Sequence, residues 1–272
     1  MDATLFSFMR FLLFLFSAIM SIFSLAQTVT QERSAEHNFI SGEQLKFNLN
    51  YGWFNVGSAS LQVSDTVVYD ADCYQVEIVG QTAGFLSLFT RVDDTWGAFI
   101  EKSDLLPLVS YSEIEEGNYT RRDEVFFDKL VQRIRVDKIR RKKKNPTKYF
   151  DYQGEMNDLM SGYLKLRNID FNELRPSDTI RFKAFYDEIF YDFGLIYKGK
   201  KLLKSKVGKR MAHQVQPILP ENDIFRGEAP ITAWISADKD QLPLKIEAQM
   251  FFGHATCTLL DYKNIKFGKD YE

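Results

Sequence analysis

The feature that most narrows the fold of this chain is an alternation of apolar and polar residues with a period of two. After Ser41-Gly42-Glu43, Leu45, Phe47, Leu49 and Tyr51 alternate with Lys46, Asn48 and Asn50. Only an extended strand puts such a set on one face, so a half-buried strand is expected here. Tyr51-Gly52-Trp53-Phe54-Asn55 reads as a turn, and Val56 to Val63 returns with the small residues Gly57, Ser58, Ala59 and Ser60, completing a hairpin. Further strands are expected over Cys73–Gly80, Arg91–Ile100, Leu108–Ile114, Tyr119–Phe127 and Leu130–Val136. Strands this closely spaced imply a meander.

One segment breaks the pattern. Met156, Leu159, Met160, Tyr163 and Leu164 fall at helical spacing, with Asn157 and Asp158 near the start, which predicts a helix over Met156–Arg167 packed on the sheet. Beyond it Ile180–Tyr186, Phe190–Tyr197, Lys200–Val207, Ala212–Ile218, Ile231–Ser236, Leu242–Met250 and Cys257–Tyr262 again read as strands. No repeat or low-complexity linker interrupts them, so one continuous sheet is expected rather than two domains.

The N-terminus reads as an export signal. Met1–Arg10 holds one basic residue, Phe11–Leu25 is apolar and free of charge, and Ser24-Leu25-Ala26 has the small-x-small form that signal peptidase accepts. An uncleaved anchor is the alternative, but the uncharged run is shorter than the roughly 20 residues a spanning helix needs. Cleavage after Ala26 is therefore expected, and no cysteine follows the run to take a lipid. The expected organisation is a signal peptide (1–26), a flexible lead-in (27–38), a single β-rich domain (39–266) and a C-terminal tail (267–272). With no second apolar span, the mature chain is expected to be soluble and periplasmic or secreted.

The formal net charge of -2 argues against a nucleic-acid partner. No G-x-S-x-G elbow, P-loop or G-x-G-x-x-G occurs. His37, His213 and His254 stand singly, without metal-ligand spacing, and read as surface or core residues. No catalytic residue, metal or cofactor is expected. Cys73 and Cys257 are open to two readings, a disulfide closing a long loop or two buried small apolar residues. The strand pattern puts Cys73 on the face opposite Tyr74, Val76 and Ile78, less clearly in the core.

Three groups of residues suggest a site. Trp53, Phe54, Phe85, Phe89 and Trp96 lie in or beside turns, where they are candidates to line an apolar ligand groove; the plainer reading is core. Arg140, Arg141, Lys142, Lys143 and Lys144, with Lys138 and Lys148 nearby, fall at a hairpin tip or long loop. They are candidates to contact anionic lipid headgroups or acidic polysaccharide, or else form a solvated loop. Asp93-Asp94 beside Trp96, and Asp187-Glu188 with Asp192, would suit a glycosidase if they faced one another.

Several segments together resemble the exported bacterial domain of unknown function family 3108. They are GEQLKFNLNYGWFNVGSASLQV, FTRVDDTWGAFIEKSDLLPLVSYSEIEEGNYTRRDEVFFD, MNDLMSGYLKLRN, and TAWISADKDQLPLKIEA followed by Gly253. The similarity runs from about Phe39 to Lys263; Lys142–Lys144 are not part of it. It implies a mainly β, strongly curved antiparallel sheet or open half-barrel with one packed α-helix, similar to folds that carry lipoproteins or lipids, and no catalytic residues. The expected function is thus a non-enzymatic exported protein that binds an apolar or anionic cell-envelope component, whether lipid, lipoprotein or glycan. A cell-envelope hydrolase using paired carboxylates and a structural partner of an envelope complex are the alternatives.

Overall fold

The computed structural model describes residues 37–83, 91–218, 230–251 and 253–268. The signal with its cleavage after Ala26, the lead-in up to residue 36, Phe85, Phe89 and the last residues of the tail lie outside them. Asn38, assigned to the lead-in, is tied down: its side chain donates to the Arg167 carbonyl at 2.9 Å and its amide to Asn168 at 2.9 Å.

Fifteen strands form one antiparallel sheet. The first half is a meander of β1 (Gln44–Tyr51), β2 (Phe54–Val68), β3 (Ala71–Thr82), β4 (Val92–Glu101), β5 (Pro107–Glu116), β6 (Tyr119–Asp128) and β7 (Arg133–Arg140), with the short β8 (Lys143–Lys144) and β9 (Lys148–Asp151) both on β7. The helix α1 (Leu159–Arg167) follows. The second half is β10 (Thr179–Tyr186), β11 (Ile189–Ser205), β12 (Gly208–Pro217), β13 (Ile231–Ser236), β14 (Pro243–Gln249) and β15 (His254–Lys263). The two halves join where β15 pairs with β1.

Several element boundaries differ from expectation: β2 runs on to Val68, β7 is Arg133–Arg140 where Leu130–Val136 is expected, and β8 and β9 have no expected counterpart. The two strands expected over Phe190–Tyr197 and Lys200–Val207 are one, because β11 absorbs Gly199, at φ +94, as an irregularity in its register against β12. The helix begins three residues later than the apolar spacing predicts. Asn157 is held in a β-like bridge to Ala184, and Asp158 is the extended N-cap, its carboxylate accepting from the Ser161 amide while the Ser161 hydroxyl accepts from the Asp158 amide. This reciprocal cap sets the first turn.

Strand twist accumulates across a sheet this wide and curls it. The inner face carries the core: Leu45, Phe47, Leu61, Val76, Ile78, Ala98 and Ile100 from β1–β4, and Ile246, Ala248, Cys257 and Leu259 from β14 and β15, pack around Met160 and Leu164 of α1. The backbone ladder does not close into a barrel. Instead the strap from Tyr152 to Asp158 bridges its two edges. The Tyr152 amide bonds the Gln132 carbonyl beside β7 at 2.9 Å, and Asn157 exchanges bonds with Lys183 and Phe185 of β10. Phe127 and Phe150 meet Phe185 across the same seam.

Cys73 and Cys257 are separate, buried free thiols. They lie on β3 and β15 with β1 and β2 between them, three strand spacings apart, so no disulfide can join them. Of the two readings, buried small residues is the one the structure supports. Cys73 is fully buried despite facing away from Val76 and Ile78, and burial pushes the Cys257 thiol up to about 12.

Candidate functional site

Among the described residues, two chambers in the interior of the curl stand out. The first, about 90 Å³, lies between α1 and the walls of β1–β3 and β11–β15. Leu159, Tyr163 and Leu166 form its helical side; Phe47, Leu61, Ile78, Phe193, Val215, Ala233, Trp234 and Ile246 form the sheet side. Its lining is almost wholly apolar.

At the far end of α1, Arg167 anchors the helix. Its guanidinium donates to both Glu43 oxygens at 2.7 and 3.1 Å, to the Tyr163 hydroxyl at 2.7 Å, and to the carbonyls of Asp240 and Asn38, both at 2.9 Å. Arg167 is 2% exposed and Glu43 fully buried. Burial pushes the Tyr163 phenol up to about 12, against the pull of the neighbouring Arg167 charge.

The second chamber, about 50 Å³, is polar and arises from strand register. A single rung of paired residues runs Leu45, Leu61, Ile78, Trp96, Ser112, Asp123, Lys138 across β1 to β7. Because one rung shares one face, the apolar wall turns polar at β5. Lys138 then meets the β10–β11 turn, with its Nζ 2.8 Å from Asp187 and 2.9 Å from Glu188. Arg121 pairs with Asp123 and, at 2.7 Å, with Asp187, and Lys148 reaches Glu188 at 2.5 Å. Burial works against the charge of Asp187 and Glu188, but hydrogen bonds and charge from these cations outweigh it and hold both carboxyls below the usual range. Burial also raises the Tyr186 phenol beside them to about 12. Leu159 and Met160, at the start of α1, line both chambers and separate them.

The residues singled out in the sequence divide among these places. Trp96 is half-buried and lines the polar chamber. Trp53 and Phe54 line neither chamber: they sit on the β1–β2 turn, 96% and 72% exposed. Arg140–Lys144 form the exposed tip of the β7–β8 hairpin, with Arg141 and Lys142 at positive φ as a two-residue turn requires. Lys138, grouped with them by sequence, is instead buried in the seam.

The carboxylates occupy separate environments. Asp187 and Glu188 line the polar chamber, whereas Asp93 and Asp94 do not. Asp94 is fully buried, accepts the Glu115 amide at 2.8 Å, and is pushed up to about 7 by burial and by the nearby Glu116 charge. Asp192 is half-buried on β11. His213 is a core residue: it stacks on Phe171, its Nδ1 lies 3.0 Å from the Tyr197 hydroxyl, and burial lowers it to about 4.

The polar chamber and the Arg167–Glu43 pair escape a reading by segments. A signal for the first was present, because in Tyr119–Asp128 Arg121 and Asp123 put charge on the same strand face as Val125 and Phe127. Nothing local signals the second, whose partners are 124 positions apart.

The family model for Protein of unknown function (DUF3108) matches residues 46–260. Among solved structures, the chain is similar to the β-barrel-like protein of domain of unknown function DUF1849 from Brucella abortus, with 7% identity, a TM-score of 0.58, and 84% of this chain and 99% of that one covered. A candidate exported protein with YmcC-like fold from Bacteroides fragilis aligns at 9% identity and a TM-score of 0.36, covering 84% of this chain and 99% of that one. A candidate lipoprotein from Parabacteroides distasonis aligns at 12% and 0.35, covering 84% and 100%. No curated protein matches the chain.

Proposed function

The chain belongs to the family described as Protein of unknown function (DUF3108), and from that premise we propose that it is a non-enzymatic, exported protein that holds the apolar part of a cell-envelope lipid or lipoprotein. The observation that carries this reading is the apolar chamber between α1 and the sheet. A preformed, concave, apolar site with few polar groups is what such a ligand needs. Export rests on the N-terminal apolar run and its Ser24-Leu25-Ala26 end.

The size of the chamber sets a condition. An enclosed cavity of about 150 Å³ accepts benzene, so 90 Å³ takes a smaller group, the end of a chain rather than its length. A longer acyl chain enters by displacing the α1 wall at Leu159, Tyr163 and Leu166.

The test is a fluorescence titration with N-phenyl-1-naphthylamine, a probe larger than the chamber that must displace the α1 wall as a longer acyl chain would, alongside mass spectrometry of organic extracts of the purified protein. Ala233, on the chamber wall, is replaced by Phe to fill the space. The parent should bind the probe with enhanced, blue-shifted emission, and Ala233→Phe should weaken it at least tenfold. An empty extract together with a parent that ignores the probe, or equal binding by both proteins, would refute the reading.

A further inference from the structure

The meander places alternate connections at the same end of the curl. The registers put the turns β1–β2, β5–β6, β7–β8, β10–β11 and β14–β15 on one rim, and β2–β3, β4–β5, β6–β7 and β11–β12 on the other. The first rim carries three exposed aromatics: Trp53, Phe54 and, at 51% exposure, Phe251. Trp53 and Phe251 belong to adjacent turns, because β1 pairs with β15 and the Gly52 amide bonds the His254 carbonyl at 2.8 Å. The same rim carries Arg140–Lys144, five consecutive cations that are all exposed.

The order of strands separates these two features. Going round the sheet, β2 and β7 stand five strands apart, and the seam brings β7 on to β10. Among the described residues the β5–β6 turn lies between the aromatic and basic tips in one direction and the β10–β11 turn in the other, so the two groups face each other across the mouth of the curl. A flat surface that touches both lies flush with that mouth.

We propose that this rim docks on a phospholipid bilayer bearing anionic headgroups. Exposed Trp and Phe side chains partition into the headgroup boundary, where an aromatic ring is favoured over both water and hydrocarbon. Clustered Lys and Arg are drawn by the negative surface potential. The opposite rim is the one to control for. Its exposed apolar residues Leu130, Val131 and Tyr69 stand beside Asp70, Asp72 and Asp128, Asp65 and Asp104 are paired with Lys102 and Lys129, and its own exposed lysines, Lys204, Lys206 and Lys209, lie at the β11–β12 turn. This docking is independent of whether the interior holds a ligand.

The experiment is sedimentation of the protein, purified from cells that export it, with vesicles of phosphatidylcholine containing about 30% phosphatidylglycerol, against phosphatidylcholine alone. Three variants share its N-terminus, so differences among them report the rim: Trp53→Ser/Phe54→Ser, Lys142→Gln/Lys143→Gln/Lys144→Gln, and the opposite-rim control Leu130→Ser/Val131→Ser. All substituted residues are exposed, and circular dichroism should be unchanged in each.

The parent should bind the anionic vesicles and release in high salt. Removing three charges should lower partitioning about a hundredfold, and the aromatic variant should lose tenfold or more. The control should bind like the parent. Brominated acyl chains should quench part of the parent's tryptophan emission, and none of it in Trp53→Phe. No parental binding, equal salt-independent binding to both vesicle types, or a control as impaired as the other variants would overturn the proposal.

Discussion

Replacing Arg167 by Met is expected to be among the most damaging single changes this protein can suffer. The guanidinium is 2% exposed, donates bidentately to a fully buried Glu43, and satisfies the Tyr163 hydroxyl and two carbonyls besides. Methionine fills a comparable volume but leaves the Glu43 carboxylate buried without its counter-charge. Breaking one side of such a pair costs about 3 to 5 kcal/mol. For a domain of this size each kcal/mol lowers Tm by about 2 to 4 °C, so the expected loss is roughly 6 to 20 °C. The loss should come from the stranded charge, so the double variant Arg167→Met/Glu43→Leu should recover most of it. Urea denaturation of the parent, both single variants and the double variant completes the cycle. A single-variant loss below about 1 kcal/mol, or a double variant no better than the sum of the singles, would refute this account of how α1 is anchored.

Four further outcomes are expected. Asp94 is raised from 3.8 to about 7, so its contribution to stability is complete below pH 4 and fades as pH rises through 7; Asp94→Asn should therefore exceed the parent at pH 8 by about 2 to 4 kcal/mol and match it near pH 4, as read by urea midpoints. Asp187 and Glu188 are held below their ordinary values, so their contribution is present above about pH 4 and lost as pH falls further. Lys138→Met should cost about 2 to 4 kcal/mol, reduced because Asp187 is partly exposed, and should speed amide exchange at Asn157 and Phe185; unchanged exchange would show that the ion cluster does not hold the seam. At Gly97 an added Cβ would lie 2.3 Å from the Tyr111 ring, whose hydroxyl is fixed between Gln75 and Glu77, so Gly97→Ala should cost about 1 to 3 kcal/mol in thermal or urea unfolding, and a neutral result would mean that the ring swings aside freely.

What the sequence determined by itself is what neighbours along the chain can encode. The period of two in Leu45–Tyr51, the paired runs either side of Gly52-Trp53, and the helical spacing of Leu159, Met160, Tyr163 and Leu164 each depend on interactions within a few residues. Most of the strands, the helix and the mainly β class were therefore legible, whereas the curvature of the sheet was implied only by the family resemblance. The start of the helix was not, because Asn157 is held out of it by bonding to β10, a strand that follows it.

Only the tertiary structure decided the site. The pairing of β1 with β15, the meeting of β7 with β10, and the Arg167–Glu43 bond join positions more than 40 apart, and no local preference specifies which distant strand edge or charge becomes the partner. The same holds for the rim, where Trp53 and Lys142 read as unrelated turn residues until strand order and the seam set them on opposite sides of one mouth. Register is the physical reason: each strand keeps its own alternation, but whether Asp123 faces solvent or Lys138 depends on the residues that β5 and β7 bring beside it.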